Sequence, residues 1–222
     1  MSTRPTFSEH DSEPVPGLPG MLPPGETLLW QGSPRFGALA RRAMHLRGLA
    51  LYFAALTVWR AAVLAAERAP WPDFVLGIAW MALLGAVPIG LLALYAWASA
   101  RSTIYSITSR RIVVRTGVAL PMTVNIPFAV IGGAALAQAP DGTGDIALEI
   151  MPPHRVSWIA LWPHTRSWRI TRPQPALRGI PEPEAVARLL ARALAASAAM
   201  PVQPIAAPGQ ASDDTRIEGA HA

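Results

Sequence analysis

Twenty-seven consecutive residues, Phe74 to Ala100, carry no charged side chain. A helix of about 20 residues already crosses the roughly 30 Å hydrocarbon core of a bilayer, so this run predicts a membrane span. Within a few residues it gives way to Tyr105-Ser106-Ile107-Thr108-Ser109-Arg110-Arg111-Ile112-Val113-Val114-Arg115-Thr116-Gly117. That basic, β-branched stretch reads as a hairpin, and an open hairpin leaves backbone polar groups that hydrocarbon cannot satisfy. The junction predicts a membrane protein with a β-rich domain held against the bilayer surface.

Composition agrees. The chain is 51% hydrophobic and 15% charged, against about 25% charged for a soluble domain. With 222 residues there is room for one domain and an anchor. The absence of cysteine excludes disulfides, thiolate metal sites and cysteine nucleophiles. A net charge of +5 beside a span favours anionic lipid or a membrane-bound partner over nucleic acid.

Residues 1–26 are polar and rich in Pro and Gly, and are expected to be a disordered tail without a signal peptide. Residues 27–47 are expected to form a membrane-proximal strand around Leu28–Gly32, then an amphipathic segment lying in the interface, with Arg35, Arg41, Arg42 and Arg47 on its polar side. Gly48–Ala66 is a second apolar stretch, interrupted once by Arg60, and is expected to be the first span. Residues 67–73 are the connecting turn and 74–100 the second span. Four arginines (Arg35, Arg41, Arg42 and Arg47) lie in the segment just before the first span, four follow the second within fifteen residues, and the turn holds one, Arg68. The positive-inside rule therefore puts both termini in the cytoplasm and the turn in the periplasm of a bacterial inner membrane.

Residues 101–199 change to short β runs. Ser102–Ile107, Arg111–Thr116, Ala119–Ile126, Gly133–Gln138, Asp145–Ile150, Val156–Leu161 and Ser167–Ile170 are the candidate strands, with a turn at Asp141-Gly142-Thr143-Gly144. A helix follows over 182–196, its first turn acidic and Val186, Leu189, Leu190 and Leu194 on one face. The fold expected is a two-helix transmembrane hairpin plus an α+β domain, pleckstrin-homology-like (PH-like), with about seven strands in a barrel or sandwich and a C-terminal helix. Residues 200–222 read as a disordered tail.

No reactive constellation stands out. The five histidines lack the spacing of a metal site, Glu182 and Glu184 are first-turn helix acids, and the 141–144 turn lacks the ending of a phosphate loop. No catalytic residue, metal or cofactor is expected. Arg60 inside a span is expected to snorkel, to pair within the chain or to meet a partner helix. Trp158, Trp162, His164, Arg166 and Trp168 form an aromatic–basic cluster whose alternatives are core packing, contact with headgroups or a protein partner and, least favoured, stacking on nucleic-acid bases. Arg110, Arg111 and Arg115 are expected to face the membrane or a partner, because residues 101–199 hold eleven arginines against five acids.

The 105–117 hairpin and the segment Gly25-Glu26…Trp30-Gln31-Gly32-Ser33-Pro34 resemble bacterial PH-like domains found beside membrane helices. The order Leu22-Pro23-Pro24-Gly25-Glu26, helix hairpin, Ala119-Leu120-Pro121-Met122-Thr123-Val124-Asn125, Asp141-Gly142-Thr143-Gly144-Asp145-Ile146 and Leu161-Trp162-Pro163-His164 resembles the PuhB family of photosynthetic complex assembly proteins. That resemblance covers roughly residues 17–196. It implies a non-catalytic factor that helps reaction-centre and light-harvesting subunits accumulate, with those subunits and membrane lipids as partners. Self-association, as a general lipid-binding scaffold, is the alternative.

Overall fold

The computed structural model describes residues 17–18, 20–118, 120–166 and 171–199. Strand β1 (Leu28–Gly32) and a short helix α1 (Phe36–Ala38) precede two long helices, α2 (Leu46–Ala66) and α3 (Trp71–Ser102). Five strands follow: β2 (Ile104–Thr108), β3 (Arg111–Thr116), β4 (Met122–Pro127), β5 (Ile131–Gln138) and β6 (Thr143–Ile150). A one-turn helix α4 (Trp158–Leu161), strand β7 (Ala176–Pro181) and helix α5 (Pro183–Ala199) complete the order.

Helices α2 and α3 are both long and apolar enough to cross a membrane, and few of the residues in their apolar stretches are buried within the protein. Neither has the one-sided apolar stripe of a helix lying on a soluble core. They pack on each other through glycines. A Cβ on Gly77 would stand 2.8 Å from Leu64 Cδ1, and one on Gly85 would stand 2.9 Å from Phe53 Cβ, so the missing side chains set the interhelical distance. Continuing that antiparallel register puts Leu46, the start of α2, level with Leu92. The last ten residues of α3 therefore outrun α2 by about 15 Å at 1.5 Å per residue. This projecting end carries Ala96, Ser99 and Ala100, all buried against the rest of the chain.

The strands form two antiparallel sheets, β1-β2-β3-β4 and β5-β6-β7, which do not close into a barrel. Their inner faces and α5 share one core. Tyr105, Ile107, Ile112 and Val114 meet Ile146, Leu148, Leu177 and Ile180, and α5 adds Val186, Leu190 and Ala193 at helical spacing. The turn expected at 141–144 joins β5 to β6, with Gly142 N–H donating to Ala139 O.

Several expectations change. Among the described residues, 101–199 supply six strands, and the seventh is β1, paired with β2 across both long helices. Val156–Leu161 is not a strand: Ser157 caps α4 by accepting the Ala160 N–H, as serine does at helix starts. The folded part begins before residue 27, since Leu18 and Glu26 are buried. The 35–47 segment is not an amphipathic helix lying in the interface. After α1 it makes a π-helical turn over Leu39–Ala43, with Met44 N–H reaching Leu39 O. Its small residues let it wedge between α3 and β7, where Ala40 and Met44 meet Ala96, and Arg35 N–H donates to Gly179 O. The candidate strand Ser167–Ile170, residue Trp168 and the tail 200–222 lie outside the described residues.

Candidate functional site

The end of α3 enters the PH-like unit through a buried polar cluster. Ser99 on the last turns of α3, Thr103 at its end, Tyr105 on β2 and Thr116 on β3 surround His164, which is 1% exposed. Tyr105 Oη accepts the Arg178 backbone N–H at 3.2 Å, so its own proton goes to His164 Nδ1 at 2.6 Å. The ring proton is then on Nε2, facing Thr103 Oγ1 at 3.0 Å and Ser99 Oγ at 3.3 Å. Thr103 in turn bonds Thr116 at 3.1 Å. Burial pushes His164 down to about 3, with Arg178 adding to the effect, and burial raises Tyr105. The ring is neutral, enclosed and saturated with hydroxyl partners. It orders the joint between helix and sheets and has no access to a substrate.

A second cluster fastens the segment ahead of α2 to the β5–β6 hairpin. Arg41 pairs with Asp141 at 2.5 Å. Arg42 donates to Thr143 Oγ1 at 2.9 Å and to Asp145 at 3.2 Å, and Asp145 also accepts the Gly179 N–H at 2.8 Å. Hydrogen bonds from the Thr143 hydroxyl and amide hold Asp141 below the usual carboxylate range, helped by Arg42 and Arg41. Buried Arg178 lies in the same field. Burial pulls its guanidinium down and Asp145 offsets part of that. Both chain segments flanking the α2–α3 hairpin are thus bound to the PH-like unit.

The described members of the aromatic–basic cluster do not sit together on one surface. His164 is the buried hub just described, so its placement among surface contacts is corrected. Trp162 is half-buried and stacks on Tyr95 of α3, ring centroids 5.3 Å apart. Trp158 is half-buried on α4, and Arg166 is exposed and reaches Gln174. The three hairpin arginines are likewise divided. Arg110 is exposed at the β2–β3 turn, while Arg111 donates to the buried carboxylate of Glu26 at 2.9 Å. Arg115 sits at the other end of β3, opposite Ile104. Arg60 is half-buried on the α2–α3 seam, its guanidinium beside Gly77, whose missing side chain makes the room.

The strand expected at Gly133–Gln138 is β5, and its open edge is what the sequence alone did not single out. It is the outer strand of its sheet, and from Gly132 to Gln138 it holds no charge and no proline and is exposed apart from half-buried Gly133. Ala134 and Leu136 line a groove of about 590 Å³ against α5, and Ala135 and Ala137 line one of about 300 Å³ on the other face. An uncharged edge of this length is a template for another strand. Among the described residues no group of acids and histidines is arranged to hold a metal ion.

A family model described as bacterial PH domain matches residues 48–194. The chain is also similar to a protein of Rhodobacter capsulatus described as an uncharacterized 23.7 kDa protein in the puhA 5′ region. The two are 44% identical over 208 residues, covering 91% of this chain and 95% of the relative. No solved structure matches.

Proposed function

The chain belongs to the bacterial PH domain family, and from that premise we propose that it is a non-catalytic assembly factor for the photosynthetic reaction centre and light-harvesting complex. The observation that carries this reading is the relative in the puhA 5′ region, similar over nearly its whole length. It agrees with the resemblance to the PuhB family, which rests on motifs spread over residues 17–196. In this reading α2 and α3 cross the bacterial inner membrane, both termini are cytoplasmic, and the PH-like unit stands on the cytoplasmic face. Its work is to hold reaction-centre or light-harvesting subunits, by surface contacts and without a cofactor. Membrane lipids are the second partner.

The geometry supports a holder more than a catalyst. The His164 cluster is closed to solvent, and the uncharged β5 edge is open. Deleting the gene and recording the near-infrared absorption of the membranes tests the proposal. Loss of reaction-centre or light-harvesting bands, restored by the gene in trans, is the expected result. Unchanged bands in a host that makes these complexes overturn it.

The second reading is a general PH-like membrane protein that self-assembles on anionic lipid. It draws on the same β5 edge, which fits another copy as well as a client strand. Normal pigment complexes together with stable oligomers of the purified protein would favour it.

A further inference from the structure

The membrane reading leaves open which end of the PH-like unit meets the bilayer. Helix α3 marks the depth. Trp71, exposed and stacked on Phe74, stands at one end, and Trp97, exposed with the Arg101 guanidinium 5.2 Å over its ring, stands near the other. Tryptophan and arginine in that pairing belong at the headgroup level. From Trp71 to Trp97 the helix rises about 39 Å at 1.5 Å per residue, close to the roughly 40 Å of a bilayer with its headgroups.

Two parts of the PH-like unit are tied to the end of α3 on either side of Trp97, one at Thr103, about 9 Å farther along the axis, and one at Tyr95. The β3–β4 turn is held by the Thr116–Thr103 bond, and α4 leads into Trp162, stacked on Tyr95. Each part carries a large aliphatic side chain with nothing of the protein over it: Leu120 and Ile159 are both 83% exposed. Val118 beside Leu120 is also exposed. The backbone is built to project this turn. Gly117 has φ +135°, and a Cβ there would stand 2.0 Å from Leu120 O, so only glycine closes the turn. The opposite end of the β2–β3 hairpin is polar, with Ser109 bonded to Thr27 and Arg110 exposed.

We propose that Leu120 and Ile159, with Val118, are wedges that seat the α3-proximal end of the PH-like unit in the acyl–headgroup boundary of the bilayer. The inference rests on the reading of α2 and α3 as spans, and the occupant follows from continuity with their lipid-facing surface. Aliphatic side chains gain by entering that boundary, whose depth is about 5–10 Å. The domain is thereby held upright, with Arg110 directed to the cytosol. This replaces the expectation that Arg110, Arg111 and Arg115 together lay the domain on anionic headgroups.

The chain has no cysteine, so single cysteines report without background. The full-length protein, carrying Leu120→Cys, Ile159→Cys, Arg110→Cys or Val58→Cys and an environment-sensitive NBD label, is reconstituted into phosphatidylcholine–phosphatidylglycerol vesicles with shallow- or deep-doxyl lipid. Expected is loss of most fluorescence at 120 and 159 with the shallow quencher, none at 110, and loss at 58 with the deep quencher. Quenching at 58 with none at 120 and 159 overturns the wedges and leaves the span standing. No quenching at 58 removes the span, and the wedges with it. Quenching at 110 but not at 120 or 159 means the domain sits the other way up.

Discussion

Tyr105 Oη lies 2.6 Å from His164 Nδ1 while it accepts the Arg178 N–H, so one phenol joins β2, β7 and the loop after α4 at the point where α3 ends. The bond fixes the imidazole tautomer and leaves Nε2–H for Thr103 and Ser99. A rigid joint follows, because each partner is buried and each has its hydrogen bond.

Acid should weaken this joint. The folded-state pKa of His164 is about 3, below the ordinary 6.5 of the unfolded chain. Between those values the unfolded chain binds a proton that the folded chain refuses. The stabilising contribution is whole above about pH 6.5 and is lost as pH falls toward 3, by at most about 1.4 kcal/mol per pH unit. Thermal melting in detergent at pH 7 and pH 5 should show the fall, and His164→Gln should melt lower at pH 7 but lose less on acidification. Tyr105→Phe strands the Arg178 N–H and His164 Nδ1, at about 1–3 kcal/mol for each group. An equal acid loss in the wild type and His164→Gln would remove His164 from the argument.

Arg110 and Arg111 are neighbours with opposite prospects. Arg111 neutralises Glu26, whose side chain is 3% exposed, and stranding a buried carboxylate costs about 3–5 kcal/mol, less where water reaches the gap. Arg111→Ala should therefore lower the melting temperature sharply, and Glu26→Gln in the same chain should restore part of it. Arg110→Ala, at an exposed turn, should stay within about 0.5 kcal/mol of wild type. Equal effects from the two alanines would mean that the ion pair contributes nothing.

The seam between the long helices depends on Gly85. A leucine there must displace Phe53, whose Cβ is already at contact distance from the missing side chain. Extending the register of Gly85 with Phe53 puts Thr57 level with Met81. A cysteine pair at 57 and 81 should oxidise to an intrachain disulfide in the otherwise native chain. Adding Gly85→Leu should abolish most of that crosslink. Retention of the crosslink would show that the glycine does not set the helix spacing.

On the proposed topology only the 67–70 connection between α2 and α3 faces the periplasm. A single cysteine at Ala69 should react with an impermeant thiol reagent in cells whose outer envelope is permeabilised. Cysteines at Ser12 and Ser212 should react only after the inner membrane is opened. Labelling at Ser212 in closed cells would end the two-span arrangement.

The elements legible in sequence were those whose signal is local. The long helices announce themselves by the length of their apolar runs, the 141–144 turn by its glycines and α5 by the spacing of Val186 and Leu190. What stayed hidden depends on partners far along the chain. Strand β7 reads as loop because Arg178, Gly179 and Pro181 break the apolar pattern, yet Ala176 through Ile180 are buried, with Asp145 beside Arg178. Val156-Ser157-Trp158-Ile159 has strand composition, and the Ser157 cap overrides it. His164 takes its role from Tyr105 and Ser99, 59 and 65 residues away. Arg41 and Arg42 find their acids at separations of 100 and 103 residues. No window of sequence contains such pairs.

The β5 edge is where a partner strand should add. Its exposed stretch lacks the lysines, prolines and bulged charges with which protein edges usually prevent pairing. Lysines at Ala134 and Gln138 would supply that protection on the face that carries Glu184, which already hydrogen-bonds Gln138. Both positions are exposed, so the double variant should fold, insert and melt like wild type. If the edge holds a client subunit, the variant should lower reaction-centre or light-harvesting absorption in a deletion strain while remaining monodisperse in detergent. If the edge joins copies of this chain, the same variant should dissociate an oligomer and leave pigment levels unchanged. Wild-type behaviour in both assays would mean that the strand is open without being used, and the contact surface would have to be sought elsewhere on the PH-like unit.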